Sequence, residues 1–276
     1  MSILNAILRT IFDLLLSPFR SLPAIVSLTL VSLVVSVFML LVFKRTSNQA
    51  KLALVKRRVH AGLFEIRLFN DDLRAILRAQ NDILRANARY LGLSLVPMVF
   101  ILPPLVLVMA QLQFHYAYQG LRPGQAAVVT AELRAPAALS SRPEATLVAP
   151  DGIRVETPAL WMPSVGQLAW RIRAERQGDY ALALSVAGAE AVTKSVRVTD
   201  AIVRRSPLRV DGGFWNQLLY PAESPLPSAG PLREIRVTYP ETGVDVFGFE
   251  MHWMIPFFVL SIVFAFALKG VLRVTI

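Results

Sequence analysis

NDDLRAILRAQNDILRANARY, Asn70 to Tyr90, is built from good helix formers and carries four arginines. It lies between two segments greasy enough to sit in a bilayer. Upstream is Pro23 to Phe43, PAIVSLTLVSLVVSVFMLLVF; downstream is Leu91 to Ala110, LGLSLVPMVFILPPLVLVMA. Neither holds a charge, and each matches the roughly 20 apolar residues needed to cross the hydrocarbon layer. A third run, Trp253 to Leu268, WMIPFFVLSIVFAFAL, barely reaches across. Composition agrees: 54% of residues are hydrophobic, 17% are charged, and the mean hydropathy is +0.50.

The charged helix between the spans has a coiled-coil spacing. Steps of three and four pass through Leu52, Val55, Val59, Gly62, Ile66, Phe69, Leu73, Ile76, Gln80, Ile83 and Asn87, a mostly apolar seam. A single helix over this stretch would end roughly 60 Å from the membrane at 1.5 Å per residue. Leu91 must nevertheless be back in the bilayer, so the chain has to reverse. FNDDL, Phe69 to Leu73, suits a reversal: Asn70 can cap a helix, and Asp71 and Asp72 favour the positive end of its dipole. The expectation is an antiparallel hairpin over residues 44–90. Its arginines fit either a spacer that enforces topology and touches anionic lipid, or an arm that meets clients or the ribosome.

Charge sets the orientation. Residues 44–90 hold eleven Lys/Arg and four Asp/Glu, so 11 − 4 gives +7, whereas residues 114–252 hold fourteen of each and balance. Lys269 and Arg273 follow the third run. The positive-inside rule then places the hairpin and the C-terminal tail in the cytoplasm, and the N-terminus and the 114–252 region outside. The formal +10 is a topology signal, and no specific nucleic-acid partner is expected. Of the 29 basic residues, 24 are arginine, the bias of a GC-rich bacterial genome. The expected location is therefore a bacterial inner membrane. No cysteine is present, so the outer region must be stabilised by its own core.

The chain divides into expected segments. Residues 1–22 form an interfacial amphipathic helix, with a partly inserted segment as the alternative. Transmembrane helix 1 is 23–43, the cytoplasmic coiled-coil hairpin 44–90, and transmembrane helix 2 91–113. Short alternating runs split by RPG, PDG and QGD turns over 120–199 suggest an extracytoplasmic immunoglobulin-like β-sandwich, with Trp170, Leu182 and Leu184 in its core. Residues 200–248 form a connector with an aromatic interfacial piece, Phe214 to Tyr220, and a final strand, REIRVTYP. Transmembrane helix 3 is 253–270 and the cytoplasmic tail 271–276. The fold class is thus a membrane α-helical protein with three transmembrane helices, a cytoplasmic hairpin and an inserted outer β-sandwich.

Catalytic signatures are missing. His60, His115 and His252 are far apart, with no metal-ligand spacing, and no nucleophile elbow or phosphate loop occurs. No enzyme activity, cofactor or metal is expected. The spans offer small polar groups instead: Thr29, Ser32 and Ser36 in the first, and Ser94 with Pro97 in the second, with Lys44 and Arg45 at the mouth. Helix packing explains such groups, and so does a shallow hydrophilic groove for clients. Pro97, Pro103 and Pro104 each remove a backbone donor that hydrocarbon cannot replace.

LVFKRTSNQAKLALVKRRV, Leu41 to Val59, runs out of the first span, and LRANARYLGLSLVPMVFILPPL, Leu84 to Leu105, runs into the second. With the surrounding topology, these stretches resemble the Oxa/YidC superfamily of membrane-protein insertases. The likeness is greatest to its three-span branch, which includes the insertase subunit of the ER membrane complex and archaeal YidC-like proteins. It covers about residues 23–118 and 253–276. Bacterial YidC proteins carry an arginine within the membrane groove, and no span here contains one; three-span members have a short loop where this chain has the sandwich. The resemblance implies an insertase or intramembrane chaperone offering its groove to nascent or client membrane proteins, among membrane lipids and without a nucleotide. Its rival is a structural or accessory subunit of a larger membrane complex, docking through the outer sandwich. A sensor, with the sandwich as input and the coiled coil as output, is a third reading.

Overall fold

A computed structural model describes residues 2–68, 73–134 and 142–275. The chain separates into two compact units, Met1–Ser27 with Leu107–Trp253, and Leu28–Val106 with Met254–Ile276. Helices dominate the second unit and antiparallel sheets the first.

Six α-helices occur among the described residues. α1 is Ser2–Leu16, followed by a 3₁₀ turn at Ser17–Phe19, and α2 is Ala24–Thr46. α3 is Gln49–Leu68, α4 Leu73–Tyr116, α5 Phe214–Leu219 and α6 Met254–Leu268. Two helices, α2 and the Ile76–Tyr116 part of α4, are long and apolar enough to cross a membrane. α6 is apolar but has 15 residues, about 22 Å at 1.5 Å each. Its proline, Pro256, sits in the first turn, where a missing N–H costs least.

The step from hairpin to second span is not a break. α4 runs on through Tyr90 and Leu91, because nothing between Arg85 and Val96 interrupts a helix and Gly92 is tolerated there. The boundary seen in the sequence is a change of side chains along one rod. Pro97, Pro103 and Pro104 lie inside that rod, leaving the carbonyls of Leu93, Val99 and Phe100 without their usual donors. α3 opens on Asn48, whose Oδ1 accepts from the Lys51 N–H at 3.0 Å.

α3 and α4 pack against each other in antiparallel fashion. Gly62 meets Ile83 and Ala79, and one groove collects Arg58 and Glu65 from α3 with Arg89 and Asp82 from α4. Leu52 and Val55 are buried and Val59 and Ile66 half-buried, as the spacing predicts. On α4 the seam differs by one position. Ala79 and Ala86 are buried, while Gln80 and Asn87 face outward, and Ile76 and Ile83 are half-buried. Small alanines let the helices approach closely and keep both amides in contact with the surroundings. Phe69 and the reversal at 69–72 lie outside the described residues, and of Leu73 only the backbone is described.

The sheet unit has β1 (Ala126–Leu133), β2 (Ala145–Val148), β3 (Ile153–Val155), β4 (Leu160–Met162), β5 (Gln167–Ala174), β6 (Gly178–Val186), β7 (Val192–Val198), β8 (Leu208–Val210) and β9 (Leu232–Val237). A hairpin follows, β10 (Val244–Val246) and β11 (Phe249–Met251). One sheet runs β3-β5-β1-β9-β8 with β4 also on β5; the other runs β2-β6-β7. All their pairings are antiparallel. Alternate residues of both sheets share one core: Val129, Leu168, Trp170, Ile172, Leu182, Leu184, Val196, Ile235 and Val237 are all at most 3% exposed. The strand REIRVTYP, expected in the connector, is β9 and sits between β1 and β8 inside that sheet. At the PDG turn Gly152 has φ +109°, and a Cβ there would run into the Tyr180 hydroxyl.

Candidate functional site

In the helical unit, α2, α4 and α6 line an open cavity of about 230 Å³. α2 contributes Val35, Ser36, Met39, Leu40 and Phe43; α4 contributes Ile101 and Leu105; α6 contributes Phe257, Phe258, Ser261, Ile262 and Ala265. Ten of the twelve are apolar, so the wall takes hydrocarbon and not a polar chain. Of the groove residues expected from the sequence, Ser36 alone is among those lining this cavity.

The expected groove residues separate. Ser36 lines the cavity, but its Oγ already donates within the unit, lying 2.6 Å from Ser32 O and 3.0 Å from Ser261 O. A hydroxyl has one proton, so these two carbonyls share it. Ser32 is fully buried, and neither its Oγ nor that of Ser261 has a partner among the described residues. Thr29 lies about two turns before Ser36 on α2 and is half-buried. Ser94 returns its hydroxyl to Tyr90 O at 3.0 Å, and Pro97 is buried; neither lines the cavity. Serines in hydrocarbon do this because an unsatisfied hydroxyl is costly and the i−4 carbonyl is always within reach.

Lys44 and Arg45 end α2 and are exposed. Lys44 Nζ donates to Leu272 O at 2.7 Å, and the Thr275 N–H donates to Gln49 Oε1 at 2.6 Å. Lys44 and Gln49 are therefore tied to the chain's tail, an arrangement no local pattern announces.

The sheet unit holds two polar clusters that sequence reasoning missed. Lys194 on β7 is fully buried; its Nζ lies 2.5 Å from Ser206 O, 3.0 Å from Ser206 Oγ and 2.8 Å from Glu223 Oε2. Glu223 Oε1 accepts from the Ser195 N–H at 2.7 Å. Burial pushes the Glu223 carboxyl up, but Lys194 and the Ser195 bonds outweigh it and hold it below the usual carboxylate range. Burial pulls the Lys194 ammonium down, which Glu223 only partly offsets. The arrangement clamps the 200–226 segment to the sheet and exposes no reactive group.

The second cluster joins α1 to the end of α4. His115 is 2% exposed, with Nδ1 2.9 Å from Gln111 O and Nε2 3.3 Å from Asp13 Oδ1, while Arg204 Nη1 lies 3.0 Å from Asp13 Oδ2. Burial raises the Asp13 carboxyl, and the His115 bond and Arg204 more than reverse this. Both clusters hold segments together. Comparison with family models, with curated proteins and with solved structures gave no match to this chain.

Proposed function

We propose that this protein is a membrane-protein insertase or intramembrane chaperone of the Oxa/YidC kind. In this reading α2, the 91–113 part of α4 and α6 are its three spans in a bacterial inner membrane. The hairpin and tail are cytoplasmic, and an immunoglobulin-like sandwich lies outside. The apolar cavity between α2, α4 and α6 carries the proposal. The concavity is open and apolar, so it offers room for the side chains of a further apolar helix. An opening walled by Met39, Phe43, Phe258 and Ile262 suits an apolar client helix, and the flexible methionine adapts to varied surfaces. The passenger is thus a hydrophobic transmembrane segment, held while its neighbours fold, in place of the polar segment a hydrophilic groove would take.

The accessory-subunit reading draws on the β10–β11 tip of the sheet unit. Phe247 is 97% exposed and Phe249 72%, an aromatic pair on a hairpin that fits docking to a fixed partner. Photo-crosslinkers at Met39, Ile262 and Phe247 separate the two readings in living cells. Transient, heterogeneous nascent chains at Met39 and Ile262 support the insertase. One constant neighbour at all three positions would sink it in favour of the subunit.

A further inference from the structure

α1 turns a polar stripe to the protein beside the buried side chains of Phe12 and Leu16, and leaves an apolar stripe outside. Asn5, Arg9 and Asp13 recur every four residues and make one polar stripe; Ile3, Ile7, Ile11 and Leu14 make the opposite, apolar one. A surface helix in water buries the apolar stripe and exposes the polar one. Here Asn5 is 2% exposed, its Nδ2 donating to Gln217 O at 2.6 Å, and Asp13 is held by His115 and Arg204. The apolar stripe faces outward, with Ile3 76%, Ile7 52%, Ile11 52% and Leu14 73% exposed. Thr10, on the same exposed side, returns its hydroxyl to Ala6 O at 3.0 Å. Among Ile3, Ile7, Ile11, Leu14 and Thr10, only Thr10 carries a polar side-chain group, and its proton is already used within the helix.

The Asn5–Gln217 bond joins this helix to α5, whose Phe214, Trp215 and Leu219 are 58%, 69% and 51% exposed. Phe214 and Trp215 stack edge to face at 5.3 Å, and such rings favour the boundary between headgroups and acyl chains. α1 also leads, through Ser17–Phe19 and Pro23, straight into α2, a helix apolar enough to span.

We infer that α1 and α5 form a single lipid-embedded face, with the apolar stripe of α1 in the acyl region and the α5 aromatics at its border. The occupant is lipid because this orientation is unfavourable in water: Asn5, Phe12, Asp13 and Leu16 are turned to the protein, while Ile3, Ile7, Ile11 and Leu14 are left outside without protein cover. The face anchors the sheet unit to the leaflet where α2 begins. The inference rests on the membrane reading above and not on client binding.

The chain has no cysteine, so Ile7→Cys, Ile11→Cys and Leu219→Cys each accept one nitroxide label in the full-length protein. Power saturation is read in phosphatidylethanolamine–phosphatidylglycerol vesicles, with Ser164→Cys in the exposed β4–β5 turn as the water reference. Labels at positions 7 and 11 are expected to relax several-fold more with oxygen than with a nickel chelate, position 219 to be intermediate, and position 164 to show the reverse. Nickel-dominated relaxation at positions 7 and 11 would put the face in water and overturn the inference. Weak relaxation by both agents would show a protein covering the face, and would overturn it too. Absence of client crosslinks at Met39 with oxygen-dominated labels would remove the insertase reading and leave this one standing.

Discussion

Gly62 on α3 faces Ile83 on α4 so closely that a Cβ at position 62 would lie 2.6 Å from Ile83 Cγ1. A glycine inside a helix costs about 1 kcal/mol relative to alanine, so its place here needs a packing reason, and this contact supplies it. Gly62→Ala should destabilise the hairpin despite the better helix propensity. Ile83→Ala should relieve the clash, so that the two changes together cost less than their sum. A coupling of at least about 1 kcal/mol in the double-mutant cycle, read by limited proteolysis of the 49–90 region, is expected for residues in contact. Additive effects would show that the helices do not meet at this point.

The Lys194–Glu223 pair gives the sheet unit an acid sensitivity. Folded Glu223 releases its proton more readily than in the unfolded chain, so the unfolded state binds more protons in acid. This contribution is complete above the ordinary glutamate value of about 4.3 and is lost as pH falls through the lower folded value. The urea midpoint of the sheet unit, followed by near-ultraviolet dichroism of buried Trp170, should fall with pH in that window. The fall should be shallower in Glu223→Gln.

The same pair separates clamp from chemistry. Lys194→Met alone leaves Glu223 buried without its cation and should cost about 3–5 kcal/mol. Lys194→Met with Glu223→Leu replaces both charges with apolar volume and should recover most of that loss. A double variant as unstable as the single one would mean that the ammonium's bonds to Ser206 matter more than charge pairing.

What the sequence made legible follows from periodicity. The helices, the main strands and the Trp170, Leu182 and Leu184 core could be read because periods of two and 3.6 repeat within each element. β4, β8 and the β10–β11 hairpin are three residues each, too short for a period to register. A strict 3-4 count carried on from α3 puts Gln80 and Asn87 in the α4 seam with Ile76 and Ile83, whereas the buried positions of α4 are Ala79 and Ala86. At Ser36 the sequence shows that a hydroxyl exists, but not that the carbonyls of Ser32 and Ser261 lie within its reach. Lys194 and Glu223 lie 29 residues apart, and nothing local to either one suggests the other.

Ser36 tests the cavity directly. Ser36→Ala removes a donor shared between two backbone carbonyls, and interhelical hydrogen bonds in membranes average about 0.6 kcal/mol, so stability should barely change. Ser36→Leu adds an apolar side chain to a site with about 230 Å³ of space. It should leave the protein folded while abolishing client crosslinks from Met39. Full crosslinking in the leucine variant, with its melting curve unchanged, would show that clients do not use this cavity.

The orientation is the remaining prediction, and every functional reading depends on it. The net +7 of residues 44–90 should hold the hairpin in the cytoplasm, and the balanced sheet unit should cross to the outside. Gln80 is exposed on α4 and Ser164 is exposed in the β4–β5 turn, so a cysteine at either site is free to react wherever it faces the reagent. In intact spheroplasts, a membrane-impermeant maleimide should modify Ser164→Cys and leave Gln80→Cys untouched until the membrane is opened. The opposite pattern would turn the chain over and put Lys44 and Arg45 on the outer side. Modification of both sites in sealed cells would place both units outside, which a chain crossing the bilayer through α2 and again through α4 does not permit.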